Sequence, residues 1–256
     1  MIDIQAVSKS YDGGRNYAVR DLTLATRPGE ILGLLGPNGA GKTTTLKMIT
    51  GILDPDSGRI TVNGHDIVRE PIAAKESFFY VPDDPNAFLR LKGIEYLNYM
   101  AALYRLPGSQ GERIAEIAED FEMDMVLGDR IQSYSHGMRQ KIILLAALLV
   151  NPPVWILDEP MTGLDPRAAF KLRGRMRAHA DAGNTVIFST HVLEVAEKLC
   201  DRIAIIDHGR LVLLGTMDEL RSAHREDVSL ESIFLSLTDA DDPEIAPLLA
   251  SLDEEA

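Results

Sequence analysis

The stretch that most constrains this chain is Gly36-Pro37-Asn38-Gly39-Ala40-Gly41-Lys42-Thr43, which fits the pattern Gly-x4-Gly-Lys-Ser/Thr. An apolar run of strand length, Glu30-Ile31-Leu32-Gly33-Leu34-Leu35, precedes it, and Thr44-Thr45-Leu46-Lys47-Met48-Ile49-Thr50 continues it as a helix. Glycines between a strand and a helix let the backbone wrap closely around phosphate oxygens, where a Cβ would clash or forbid the dihedrals. The loop amides and the positive end of the helix then face those oxygens. Lys42 reaches the β- and γ-phosphates, and the Thr43 hydroxyl takes one place on Mg²⁺. A glycine-rich turn with a surface lysine is the plain alternative, and the flanking strand and helix weigh against it.

With 256 residues and 45% hydrophobic composition, the chain can build one large domain, or a core with a subdomain. Lys and Arg total 26 against 39 Asp and Glu, a formal charge of −13. That balance counts against a nucleic-acid surface but not against ATP, since local amides and one lysine bind phosphate whatever the total charge. A single cysteine, Cys200, excludes an internal disulfide and fits a reducing compartment. Its apolar helical context reads as a core thiol. Met1-Ile2-Asp3-Ile4-Gln5 lacks the basic start and apolar region of a secretory leader. The longest apolar run, Ile142 to Val150, is nine residues, short of the roughly 20 that a bilayer requires. The expectation is a soluble, cytoplasmic protein.

Residues 1–35 alternate short apolar runs with turns: Ile2–Val7, Ala18–Leu24 and Glu30–Leu35, with Asp12-Gly13-Gly14 as a hairpin turn. After the phosphate loop, Arg59–Val62 reads as a strand ended by Asn63-Gly64, and Phe78–Val81 as another stopped by Pro82. Lys92–Tyr104 and Glu112–Phe121 read as helices separated by Pro107-Gly108. These residues predict a helical subdomain over about 84–151, inserted into an α/β core. Alternation then returns. Val154–Leu157 reads as a buried strand, and Asp165-Pro166 opens a helix with a capping acid and a first-turn proline. Thr185–Phe188 is a strand, Leu193–Leu199 a helix and Arg202–Ile206 a strand, with His208-Gly209 turning into Arg210–Leu214. The pattern favours a parallel sheet with helices on both faces.

The strand Val154–Leu157 runs into Asp158-Glu159-Pro160. Two carboxylates at the carboxyl end of an apolar strand lie where open α/β sheets bind ligands. A cation relieves their repulsion. The natural division has Asp158 holding Mg²⁺ and its waters while Glu159 positions and deprotonates the attacking water.

Tyr134-Ser135-His136-Gly137-Met138-Arg139-Gln140 resembles the signature of ATP-binding cassette (ABC) ATPases. It begins a helix, so Ser135 and the amides near Gly137 can meet a phosphate from outside. The order of motifs carries the same resemblance: phosphate loop, signature, Asp158-Glu159, Gly163-Leu164-Asp165, then Ser189-Thr190-His191, over nearly all of residues 2–220. The resemblance implies a phosphate-loop NTPase (RecA-like) α/β core with an antiparallel β subdomain and a helical subdomain carrying the signature. It implies an ATPase domain over 1–222. In the tail over 223–256, Leu230–Leu235 can form a short helix, and the remainder, through Asp253-Glu254-Glu255, is acidic and expected to be mobile.

It further implies that two such cassettes, identical or paralogous, face each other head to tail. ATP held by residues 36–44 of one is then covered by Ser135, His136, Gly137 and Met138 of the other, with Gly163, Leu164 and Asp165 crossing the interface. Lys42, Glu159 and His191 carry catalysis, His191 by contacting the γ-phosphate. Tyr11 matches the aromatic that stacks on adenine, although Tyr17 is nearby and Tyr11 can pack under the hairpin. Thr43 and Asp158 serve the metal. Where the family usually has glutamine after the strand, this chain has Asp83, an acceptor only. Asp83 can still bind Mg²⁺ through a water, or Asp84 can share the role. His136 stands where glycine is common, a blend that resembles export-type cassettes with a separate permease.

The expected function is ATP-driven transport through an integral-membrane permease, on the cytoplasmic face of the cell membrane, with no nucleic-acid partner. The helical insert would receive a helix of the permease, and Phe88, Tyr96, Tyr99 and Tyr104 either line that contact or, for the most part, fill the core. A soluble relative acting on DNA or the ribosome is the alternative, and a non-hydrolysing cassette is argued against by Glu159 and His191.

Overall fold

The computed structural model describes residues 1–224 and 229–238. In chain order the elements begin with β1 (Ile2–Ser10), β2 (Tyr17–Ala25), β3 (Ile31–Leu35), α1 (Lys42–Ile49), β4 (Ser57–Val62), β5 (His65–Asp66), α2 (Pro71–Glu76) and β6 (Phe78–Val81). The helical stretch follows: α3 (Gly93–Leu103), α4 (Gly111–Asp120) and α5 (His136–Val150). The chain continues through β7 (Val154–Leu157), α6 (Pro166–Asp181), β8 (Thr185–Ser189), α7 (Leu193–Leu199), β9 (Arg202–Asp207), β10 (Arg210–Gly215), α8 (Met217–His224) and α9 (Leu230–Thr238).

Two sheets share these strands. One is antiparallel, in the order β2-β1-β4-β5. The other has the order β10-β9-β3-β8-β7-β6 and is parallel except at its β10 edge, which turns back on β9 through His208-Gly209. Strands β3, β7 and β8 are buried at every position, which is why they read as unbroken apolar runs. The strand carrying the phosphate loop is therefore central, with β8 and β9 on either side.

One core packs α3, α4, α5 and α6 against the parallel sheet, around Trp155, Phe121 and Phe188. The other lies around α1 between the two sheets, with Ile4, Leu22, Leu34, Leu46 and Ile187. The run Ile142–Val150 is the buried body of α5, a helix apolar all round because it is packed all round. Its ends are set locally: Ser135 accepts from the Met138 amide at the start, and Asn151, at φ 48°, closes the end. Asp165 caps α6 by accepting from the Ala168 amide, ahead of Pro166. Among the described residues, no helix is long and apolar enough to cross a membrane. Helix α9 buries Leu230 and Ile233 in a third cluster beneath α7 and β9, whereas Asp253-Glu254-Glu255 lies outside the described residues. Cys200 lies half-buried at the end of α7 between core clusters, and burial raises its thiol above the ordinary range.

Burial also sets a pH dependence. His179, near the end of α6, stacks on Trp155 with centroids 4.0 Å apart and planes 13° from parallel. Its Nδ1 donates to Asn151 Oδ1 at 3.0 Å, and desolvation pushes its pKa down to about 4. The folded state thus resists a proton that the unfolded chain accepts. Stability from this residue is complete above pH 6.5 and is lost as pH falls from there toward about 4. Between pH 7.5 and 5 the loss is about 2 kcal/mol. Denaturant titrations at those two pH values should show His179→Phe losing that much less than the parent, since phenylalanine keeps the stack without titrating. Parallel pH profiles for parent and variant would contradict this account.

Candidate functional site

The phosphate loop joins β3 to α1 as a tight cradle. Gly36, Ala40, Gly41 and Lys42 are buried, while Asn38, Gly39 and Thr43 are exposed at its crown and mouth and Pro37 and Thr44 are half-buried. Gly41 has φ 108°, and a Cβ there would stand 2.4 Å from the Ala18 carbonyl of β2. That close approach fixes the loop against the antiparallel sheet, and only glycine permits it. The Ala40 carbonyl is tied to the Gly209 amide at 2.9 Å. Lys42, 8% exposed, donates from Nζ to Gly36 O at 2.6 Å and to Pro37 O at 3.1 Å, folded over the loop it serves. Burial lowers its pKa, and the charges of Glu159 and Asp158 oppose that shift. Tyr11, 66% exposed, shares a hydrogen bond of 3.4 Å between its hydroxyl and Thr44 Oγ1, so its ring stands free beside the loop.

The acids come from the neighbouring strands. Asp158, at the end of β7, is buried and accepts three hydroxyls: Thr43 at 3.3 Å and Ser189 at 2.6 Å on Oδ1, and Tyr80 at 3.5 Å on Oδ2. Burial and the Asp158 charge push the Tyr80 phenol well above its ordinary range. Glu159 follows at φ 47°, a left-handed conformation that a side chain adopts only when the surroundings enforce it. Its amide donates to Ser189 Oγ at 2.9 Å, and its Oε2 accepts from His191 Nδ1 at 2.9 Å. His191 is 64% exposed, so it stands at the open side of the centre.

The structure thus brings Lys42, Thr43, Asp158, Glu159 and His191 to the carboxyl ends of β3, β7 and β8. Hard oxygen donors, the Thr43 hydroxyl and the Asp158 carboxylate, meet at the mouth of a cradle whose lysine and amides suit phosphate, a donor set that fits Mg²⁺ with a nucleotide. Asp83 is exposed beyond the end of β6, where its charge contributes to raising the Tyr80 phenol. Asp84 instead accepts from both nitrogens of Asn86, whose Oδ1 accepts from Arg139.

Ser135, His136, Gly137 and Met138 form a separate surface at the start of α5, packed on the loop after Glu159. A Cβ on Gly137 would stand 2.4 Å from the Gly163 carbonyl, and a Cβ on Gly163 2.5 Å from His136 Cδ2. The histidine at 136 is therefore housed by a glycine at 163. Ser135 and His136 are exposed, while Met138 and Leu164 are half-buried against the main core. Asp165 is held at about pKa 2 by its ion pair with Lys141 and by the Ala168 amide. Gln140, buried behind them, donates to the Pro160 carbonyl at 3.4 Å, joining the signature helix to the turn that carries Glu159.

Sequence reasoning assigned no role to Ser189, Tyr80, Gln140 or Lys141. Ser189 was visible beside Thr190-His191, but its partner Asp158 lies 31 positions away and is brought alongside only by strand pairing.

A protein-family model described as ABC transporter matches residues 19–162. The chain is 35% identical over 237 residues to the ABC-type transporter ATP-binding protein EcsA of Bacillus subtilis (strain 168), covering 91% of this chain and 96% of that one. It is 39% identical over 223 residues to the daunorubicin/doxorubicin resistance ATP-binding protein DrrA of Streptomyces peucetius, covering 87% and 67%. Among solved structures, one described as the ATP binding subunit of an ABC transporter superposes with a TM-score of 0.88 at 33% identity, covering 93% of this chain and 99% of that one. A dimeric post-hydrolysis state of the cassette MJ0796 with ADP and Pi shares the fold, with a TM-score of 0.76 at 24% identity over 85% of this chain and 99% of that one. With its phosphate loop, paired acids and signature helix assembled as described, this chain belongs to the ABC transporter family, as one of its ATP-binding, ATP-hydrolysing subunits.

Proposed function

We propose that this subunit closes on ATP against a second cassette, head to tail, and couples that closure to export through a separate membrane permease. The observation that carries the chemistry is the Glu159 carboxylate, held beside His191 at the mouth of the phosphate cradle. Lys42 and the amides of 36–44 hold the triphosphate, and Tyr11 stacks on the adenine. Glu159 takes the proton of the attacking water, and His191 orients Glu159 and the γ-phosphate. Mg²⁺ would be held by Thr43 and Asp158, with Asp83 acting through a water, and when bound it neutralises charge on the phosphate oxygens. Exposed Ser135 and His136, with half-buried Gly137 and Met138, cover the nucleotide of the partner cassette, and Gly163, Leu164 and Asp165 meet it across the interface. The ATPase domain is 1–222, with 84–151 as its helical part and 223–256 as an appended tail.

The permease is supported by a groove of about 690 Å³ between α2, β6 and α3. Its rim exposes large apolar side chains, Ile72 at 68% and Leu103 at 56%, which an isolated monomer gains nothing by displaying. Phe88 and Tyr99 are also exposed, whereas Tyr96 is buried and Tyr104 is half-buried with its hydroxyl on Phe78 O. An amphipathic helix fits such a groove, and binding there puts the chain on the cytoplasmic face of the membrane. The resistance proteins among its relatives support export as the direction.

Tagged protein purified from detergent-solubilised membranes should carry a polytopic membrane protein. Ile72→Asp combined with Leu103→Asp should cut that yield at least about tenfold, because charges replace buried anchors, while the ATP-induced rise in melting temperature persists. Recovery of ribosomal RNA or DNA in place of a membrane protein, or an undiminished yield from the double variant, would overturn the permease reading.

A further inference from the structure

Ser189 ends β8, and strand register decides its neighbours. Leu157 pairs with Phe188, so Asp158 falls beside Ser189, and on the other side Ser189 pairs with Leu34 of the strand that feeds the phosphate loop. The side chain is completely buried. A hydroxyl has one hydrogen to give and lone pairs to accept, and this one uses both. It donates to Asp158 Oδ1 at 2.6 Å and accepts from the Glu159 amide at 2.9 Å. The first has the length of a charge-assisted bond from a hydroxyl to a carboxylate. The second fixes the peptide plane of a residue in the left-handed region, whose Oε2 then meets His191 Nδ1 at 2.9 Å. The strand end itself is anchored, since the Thr190 amide donates to Leu34 O at 3.3 Å.

We propose that Ser189 is a positioning residue for ATP hydrolysis, whose single hydroxyl sets the metal-side carboxylate of Asp158 and the backbone of the water-side Glu159 together. This rests on the roles given above to Asp158 and Glu159. Removing the hydroxyl frees Asp158 to rotate and leaves the Glu159 amide without its acceptor, so both acids lose their alignment at once.

The test compares Ser189→Ala, Ser189→Cys and Ser189→Thr with the parent. Outer-sphere partners of metal ligands typically cost about 10- to 100-fold in activity or metal affinity. In Ser189→Ala, kcat should fall roughly 30-fold while KM for ATP stays within about threefold, and Mn²⁺ affinity in the presence of a non-hydrolysable ATP analogue, read by electron paramagnetic resonance, should weaken about tenfold. Ser189→Cys, with its weak S–H donor, should fall between alanine and parent. Ser189→Thr keeps the hydroxyl and suits a strand, so it should recover to within about threefold of the parent. Should Ser189→Ala fail to fold, the cysteine and threonine variants decide. Alanine or cysteine at the parental rate, or threonine as slow as alanine while melting like the parent and so accommodating its methyl group, would overturn the proposal, the last because a retained hydroxyl then fails to restore the rate. Glu159→Gln run alongside separates the two levels. An active Glu159→Gln would remove the role of Glu159, whereas an inactive one beside a fully active Ser189→Ala would remove only that of Ser189.

Discussion

Glu159→Gln should bind ATP and scarcely turn it over. The substitution preserves length and shape, so the amide of residue 159 keeps its bond to Ser189 and the side chain can still meet His191. What it loses is the capacity to take a proton from water. General-base catalysis is worth about 10²- to 10⁴-fold, so turnover should drop at least about a hundredfold with ATP affinity little changed. In the proposed cycle hydrolysis reopens the closed pair, so an ATP-bound dimer should accumulate, visible as doubled mass by size-exclusion chromatography with light scattering. Turnover within a few-fold of the parent would remove Glu159 from the role of base.

Lys42→Ala attacks binding itself. The parent ammonium is buried and satisfied by the Gly36 and Pro37 carbonyls, and it lies within the fields of Asp158 and Glu159. With alanine there, the two carboxylates face incoming phosphate with no adjacent cation. Losing one partner of a buried charge pair costs about 3–5 kcal/mol, so the ATP dissociation constant should rise at least about a hundredfold. Isothermal titration with ATP measures this directly. Melting gives an independent readout: ATP should raise the midpoint of the parent by mass action and leave that of the variant where it was. Unchanged affinity would require the phosphate cradle to be reassigned.

These two sites were legible in the sequence because their chemistry is local. The cradle needs its glycines, lysine and threonine within eight consecutive positions, and the acid pair needs only an apolar strand before it. Helix boundaries announced by caps were legible for the same reason, as at Asp165-Pro166 and Ser135. The reading of Asp165 was incomplete: the residue caps α6 as its position suggests, but it also pairs with Lys141, on another helix, at 2.8 Å. Tyr80 was invisible as a site residue, and Ser189, though it stands beside Thr190-His191, showed no link to the acids. A tyrosine in an apolar strand and a serine at a strand end look like ordinary packing until β6, β7 and β8 are set in register. The small elements escaped notice too. Strand β5 is two residues long and α2 is six, shorter than either periodicity needs to declare itself.

The contact between His136 and Gly163 has a consequence for how this protein can vary. The ring at 136 occupies the volume that any side chain at 163 would need, and the Gly163 carbonyl leaves no space for a methyl group at 137. Glycine is demanded at 163 twice over, by its left-handed backbone at φ 76° and by the imidazole beside it, so a descendant sequence that trades the imidazole for something smaller lifts only one of the two demands, and 136 can drift while 163 stays glycine.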